Sequence, residues 1–174
     1  MSMKYLSKSL KIILSCAALI TIGIIIFFGH RDIPLNELRA KYTNTASSFV
    51  SVDGMDVHFR DEGNQTDTIP IVLIHGTASS LHTFDIWTDS LKKTNRVIRM
   101  DLPAYGLTGP FPDRNYSMAH YTEFLKNFLT ALNIKQCVLA GNSLGGQIAW
   151  NFTLEQPQMV RKLIILPSLS NCGT

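Results

Sequence analysis

The passage from Gln136 to Gly146, QCVLAGNSLGG, restricts the possible folds of this 174-residue chain more than any other. A short apolar run ends in Gly141-Asn142-Ser143-Leu144-Gly145, and a stretch of helical character continues to about Gln156. G-x-S-x-G between a strand and a helix demands a sharp turn. The serine must adopt a strained backbone conformation to lift its hydroxyl above a sheet. Glycines two residues to either side leave room where strand and helix approach closely. The helix then aims its first amide N–H groups and its positive dipole end at the same place, where they can stabilise an oxyanion. Ser143 is therefore the candidate nucleophile.

The surrounding sequence alternates strands and helices. Pro70–Ile74 is an unbroken apolar run closed by His75-Gly76-Thr77, and Arg96–Leu102 is closed by Pro103. Unbroken runs suit strands buried on both faces of a parallel sheet. Phe49–Val52 and Met55–Arg60 flank Asp53-Gly54, a hairpin signal. Residues 83–93 suit a short helix with Phe84, Trp87 and Leu91 on one side. Ser117–Asn133 carries a stripe of Met118, Tyr121, Phe124, Leu125, Phe128, Leu129 and Leu132, with Ser117 as cap and Tyr116 stapled against Tyr121. Val160–Leu166 is a final strand. This alternation predicts an α/β fold with a parallel sheet covered by helices on both faces. His75-Gly76-Thr77, Asp101–Gly106 and Gly141–Gly145 all fall at carboxyl ends of strands, the edge where open α/β sheets bind ligands. The ring of His75 is expected to tie its loop together, and the carboxylate of Asp101 to stabilise its turn. Phe84, Trp87, Tyr105 and Phe111 are candidates for an apolar mouth, with core packing the better reading for Phe84 and Trp87.

A separate signal occupies the amino terminus. Ile12–Phe28 holds 17 residues without a charge, the short end of the range for a spanning helix. It exceeds the apolar region of a cleaved signal peptide, and no small-x-small cleavage site follows it. Ile13–Cys16 loosely resembles a lipoprotein box, but the apolar run continues past the cysteine. Lys4, Lys8 and Lys11 precede the span, whereas Arg31, Arg39 and Lys41 after it are diluted by Asp32 and Glu37. The positive-inside rule then predicts residues 1–11 as a cytoplasmic basic tail and 12–28 as a signal anchor in the cytoplasmic membrane. Residues 29–47 read as an irregular polar linker, and 48–174 as a domain outside the membrane.

Composition excludes some classes. The chain has 16 Lys+Arg against 13 Asp+Glu, and without the three amino-terminal lysines the balance is 13 to 13. No basic surplus remains on the body to attract nucleic acid. Cys16, Cys137 and Cys172 are widely spaced, which argues against a disulfide framework or a zinc site.

The strand-HGT, DLPAYG and GNSLGG segments, in this order and spacing, resemble the amino-terminal half of the α/β-hydrolase family over roughly residues 48–167. With the apolar start and RVIRMDLPAYGLTGP, the similarity is to exported, membrane-anchored bacterial members. The resemblance implies Ser143 as nucleophile, with backbone N–H groups of Leu144 and Thr77 as the oxyanion hole. It implies a small-molecule acyl substrate and no cofactor or metal. A serine here sets aside the branches with an aspartate nucleophile, the haloalkane dehalogenases and epoxide hydrolases. Ala104 stands where the family's DxPGxG turn carries glycine.

The family places an acidic residue and then a histidine after the serine. Only 31 residues follow Ser143, with Glu155 as their one acidic side chain and no histidine. His82, His58, His120 and His30 all precede the serine, and none is at the family's position. The expectation is a truncated, frameshifted or fragmentary hydrolase, inactive on its own. The alternative is a non-catalytic, membrane-tethered α/β domain that binds a ligand or partner.

Overall fold

The computed structural model describes residues 8–29 and 33–166. Lys4, His30, Arg31, Asp32 and Cys172, all named above, lie outside these residues. The chain divides into two compact units, Met1–Glu37 and Leu38–Thr174. In the first, α1 (Lys8–Phe28) contains a stretch, Leu10–Phe28, long and apolar enough to cross a membrane, with none of it buried against protein. Within the stretch read as irregular linker, Leu35–Tyr42 forms a further helix, α2.

The second unit is built on a six-stranded sheet in the order β1-β2-β4-β3-β5-β6. The strands are β1 (Ser47–Val52), β2 (Met55–Gly63), β3 (Ile71–Ile74), β4 (Arg96–Met100), β5 (Cys137–Asn142) and β6 (Val160–Leu166). Asp53 at φ 50° and Gly54 at φ 78° turn β1 into β2, as a two-residue hairpin with right-handed strand twist requires. The parallel sheet holds for β4, β3, β5 and β6. β2 runs antiparallel to β4, so the sheet is mixed.

Both faces are covered. Val72, Ile74, Ile98, Met100 and Leu139 point to one side, against the helices α4 (Met118–Ala131) and α5 (Leu144–Glu155). Leu73, Val97 and Ala140, one residue out of phase, point to the other, against Phe84 and Leu91. That is the two-residue period of a strand buried on both sides. α4 is held by its stripe: Tyr121, Phe124, Leu125, Phe128 and Leu129 are all buried, and Phe128 meets Phe59 edge-on at 5.7 Å. Ser117 caps it by accepting from the His120 N–H at 3.4 Å, and Tyr116 lies 6.2 Å from Tyr121. The 83–93 region splits into a 3₁₀ turn, Leu81–Phe84, and α3 (Asp85–Leu91). Phe84 is buried, but Trp87 is 46% exposed and so does not serve the core.

Candidate active site

β5 delivers the chain to Ser143, which adopts φ 51° and ψ −115° and is followed at once by α5. The close packing at this corner explains its glycines. A β-carbon on Gly141 would collide with the backbone of Gly145, and one on Gly145 with the carbonyls of Ile74 and His75. The His75–Thr77 loop lies against the same corner: a β-carbon on Gly76 would stand 3.1 Å from the Ser143 Cβ and 2.9 Å from the Asn142 Oδ1. The first intrahelical bond of α5 runs from the Gln147 N–H to the Ser143 carbonyl at 3.0 Å. The Leu144 N–H therefore has no carbonyl of its own helix to bind. Ser143 is exposed and opens onto a pocket of about 390 Å³ lined by Gln147, Trp150, Asn151, Ile165 and Leu166.

Two buried side chains hold the loops around this corner. His75 donates from Nδ1 to the Gly76 carbonyl at 2.8 Å and accepts at Nε2 from the Leu102 N–H at 3.0 Å. The ring thus ties the loop after β3 to the turn after β4, as expected. Burial pushes its pKa below the ordinary imidazole value. Asp101 accepts from the Leu81 N–H at 2.8 Å and the Leu107 N–H at 2.9 Å. Burial by itself would raise its pKa. The bonds from His58, Leu107 and Leu81 outweigh that and hold it below the usual carboxylate value. The turn it stabilises is tight: a β-carbon on Gly106 would collide with the Asp101 carboxylate. Ala104, in the position where the resemblance expects glycine, takes φ 68°. For a residue with a β-carbon that conformation costs about 1–2 kcal/mol.

None of the other candidate residues lines the pocket at Ser143. Among the described residues the Ser143 hydroxyl makes no hydrogen bond. His82 pairs with Asp85 at 3.0 Å and His120 with Asp113 at 3.6 Å. His58 is buried beside Asp101, and Glu155 is exposed at the end of α5. Phe111, weighed for an apolar mouth, is buried against Tyr121 and Phe124. Thr77 is exposed immediately beyond Gly76. The role of His58 was not legible, because its partner Asp101 is 43 residues away in sequence.

A mixed sheet in this strand order, with a strained serine between β5 and the following helix, defines a class of protein. A family model described as the alpha/beta hydrolase fold matches residues 69–173, and the chain belongs to that family. It is 31% identical over 121 residues to the uncharacterized hydrolase YugF of Bacillus subtilis (strain 168), covering 68% of this chain and 43% of that protein. It is 34% identical over 113 residues to the sn-1-specific diacylglycerol lipase ABHD11 of Danio rerio, covering 62% of this chain and 35% of that one. The crystal structure of a membrane phospholipase A shares the fold, with a TM-score of 0.66 at 23% identity, over 91% of this chain and 51% of that one. The chain spans less than half the length of these two curated relatives, one named as a hydrolase and the other as a lipase.

Proposed function

We propose that the protein is a serine hydrolase in which Ser143 attacks the carbonyl carbon of a small-molecule ester or related acyl compound. The observation that carries this reading is the positive φ of Ser143 at the start of α5, with the Gly76 loop packed against it. The backbone N–H groups of Leu144 and Thr77 form the oxyanion hole. A base takes the hydroxyl proton as the Oγ–C bond forms, then returns it to the departing alcohol, and water releases the acyl group. No step calls for a metal or organic cofactor. That base and its orienting acid are to be sought outside residues 33–166. Removing members of such a triad still leaves roughly 10³–10⁴-fold over water from binding and the oxyanion hole.

The test is labelling of the full chain with a fluorophosphonate. An adduct on Ser143 that disappears in Ser143→Ala supports the reading. Labelling that is absent, or that survives the substitution, overturns it. The second reading, a non-catalytic domain that binds a ligand or partner, is favoured by the lack of a hydrogen-bond partner for the Ser143 hydroxyl among the described residues, and a silent but stably folded chain would support it.

The apolar helix supports a further part of the proposal: residues 12–28 anchor the chain in the cytoplasmic membrane, with 1–11 inside and 48–174 outside, joined by 29–47.

A further inference from the structure

We propose that His58 is a positioning residue: the chain Ser47–His58–Asp101 holds, from β1 and β2, the loop after β3 that packs against Ser143 and the turn after β4 that is tied to it. The inference rests on the reading of Ser143 as nucleophile and of the Thr77 N–H as an oxyanion donor.

His58 lies on β2, where the antiparallel pairing with β4 brings it beside Asp101. The two side chains are 1% and 2% exposed, and Nδ1 of His58 stands 2.7 Å from Oδ2 of Asp101. The other ring nitrogen, Nε2, stands 3.0 Å from the Ser47 hydroxyl. The direction of each bond follows from counting donors. Ser47 Oγ accepts from the Asn44 N–H at 3.1 Å and from the Arg60 Nε–H at 3.2 Å. With both lone pairs occupied, its own hydrogen can go to Nε2 of His58 at 3.0 Å or to Oδ1 of Asn44 at 3.5 Å; the shorter contact is the one to the ring, which places the ring proton on Nδ1, facing the carboxylate. The backbone adds two more ties: the His58 N–H donates to Thr108 Oγ1 at 3.0 Å, and the Asp101 N–H donates to the His58 carbonyl at 2.9 Å.

Asp101 gathers these bonds at one carboxylate. Its remaining acceptor positions take the Leu81 and Leu107 N–H groups. Leu81 ends the segment that begins at Gly76-Thr77, and Leu107 closes the turn that holds Tyr105. A side chain that merely filled the space at position 58 would leave the buried carboxylate short of one donor, and the penalty would fall on the two loop amides that share it. His58 therefore acts through Asp101 on the loop carrying Thr77.

The experiment uses the full chain in detergent, with His58→Leu, His58→Asn and Ser47→Ala. Asn keeps an N–H that can reach Asp101, whereas Leu does not. Loss of a bond to a charged group is expected to speed amide hydrogen exchange at Leu81 and Leu107 by about tenfold or more in His58→Leu, with a fall of similar size in the fluorophosphonate labelling rate at Ser143. His58→Asn is expected to restore both to within about threefold, and Ser47→Ala to give a smaller effect of the same pattern. Ser47→Ala, at the half-exposed end of the chain, decides the matter should His58→Leu not fold. Unchanged exchange at the two amides overturns the proposal, and so does acceleration spread evenly over the sheet without rescue by Asn. A wild-type chain that does not label at Ser143 defeats the nucleophile reading alone, and the exchange pattern still decides the role of His58.

Discussion

Ser143 combines exposure with a backbone that a β-carbon disfavours, at φ 51°. Strain of this kind costs on the order of 1–3 kcal/mol and persists only where the surroundings enforce it. Ser143→Gly should therefore unfold at a higher denaturant concentration than Ser143→Ala, by about 1 kcal/mol after allowing for the looser unfolded chain of glycine. Equal midpoints would show that the corner stores no strain. This position was legible from G-x-S-x-G, because the steric demand is local. The similar demand at Ala104 was marked only by the resemblance, whose turn carries glycine there, since an alanine by itself carries no signal for positive φ. Asp101 supplies a pH dependence. Its folded-state pKa lies below that of an unfolded carboxylate, near 3.9. Its stabilisation is thus complete above about pH 4 and is lost as pH falls through the depressed value. Urea midpoints measured from about pH 6 down to pH 2 should fall less steeply for Asp101→Asn than for the wild type. Parallel curves would remove Asp101 from the acid limb.

α4 was readable as an element because its apolar residues recur at the helical period and its cap stands directly before them. Phe128 sits at the centre of that stripe, fully buried between Phe59 and Phe124. Phe128→Ala should cost about 3–5 kcal/mol in urea unfolding, the transfer of the ring plus the cavity it leaves. A loss below 1 kcal/mol would mean that the core collapses into the space. α2 shows the opposite case. Its sequence, LNELRAKY, has no apolar stripe, and none of its residues is buried. It is held by remote partners: Arg39 lies 4.3 Å over the Phe49 ring and 3.8 Å from Asp56, and Arg60 donates to the Tyr42 carbonyl at 2.9 Å. Such contacts involve residues whose sequence separation hides them. Trp87 departs from its expected place in the core for a related reason. The spacing of 3 and 4 places it with Phe84 and Leu91, but the 3₁₀ turn ends at Phe84 and shifts the phase of the helix that follows.

For the molecule as a whole, the proposed anchor has a direct test. Protease added to the outer side of the cytoplasmic membrane should remove residues 48–174 and leave an amino-terminal tag protected. Protection of the body with loss of the tag would reverse the orientation. The apolar span, the alternation of strands and helices and the serine corner were determined by the sequence alone. Each is a local matter of charge, period or backbone sterics within about twenty residues. Only the tertiary structure decided that β4 lies between β2 and β3, that β2 runs antiparallel to it, and that His58 thereby meets Asp101. Pairing between distant segments is selected by the joint burial of both sheet faces and the satisfaction of polar groups enclosed between them, and no single stretch of residues encodes that condition.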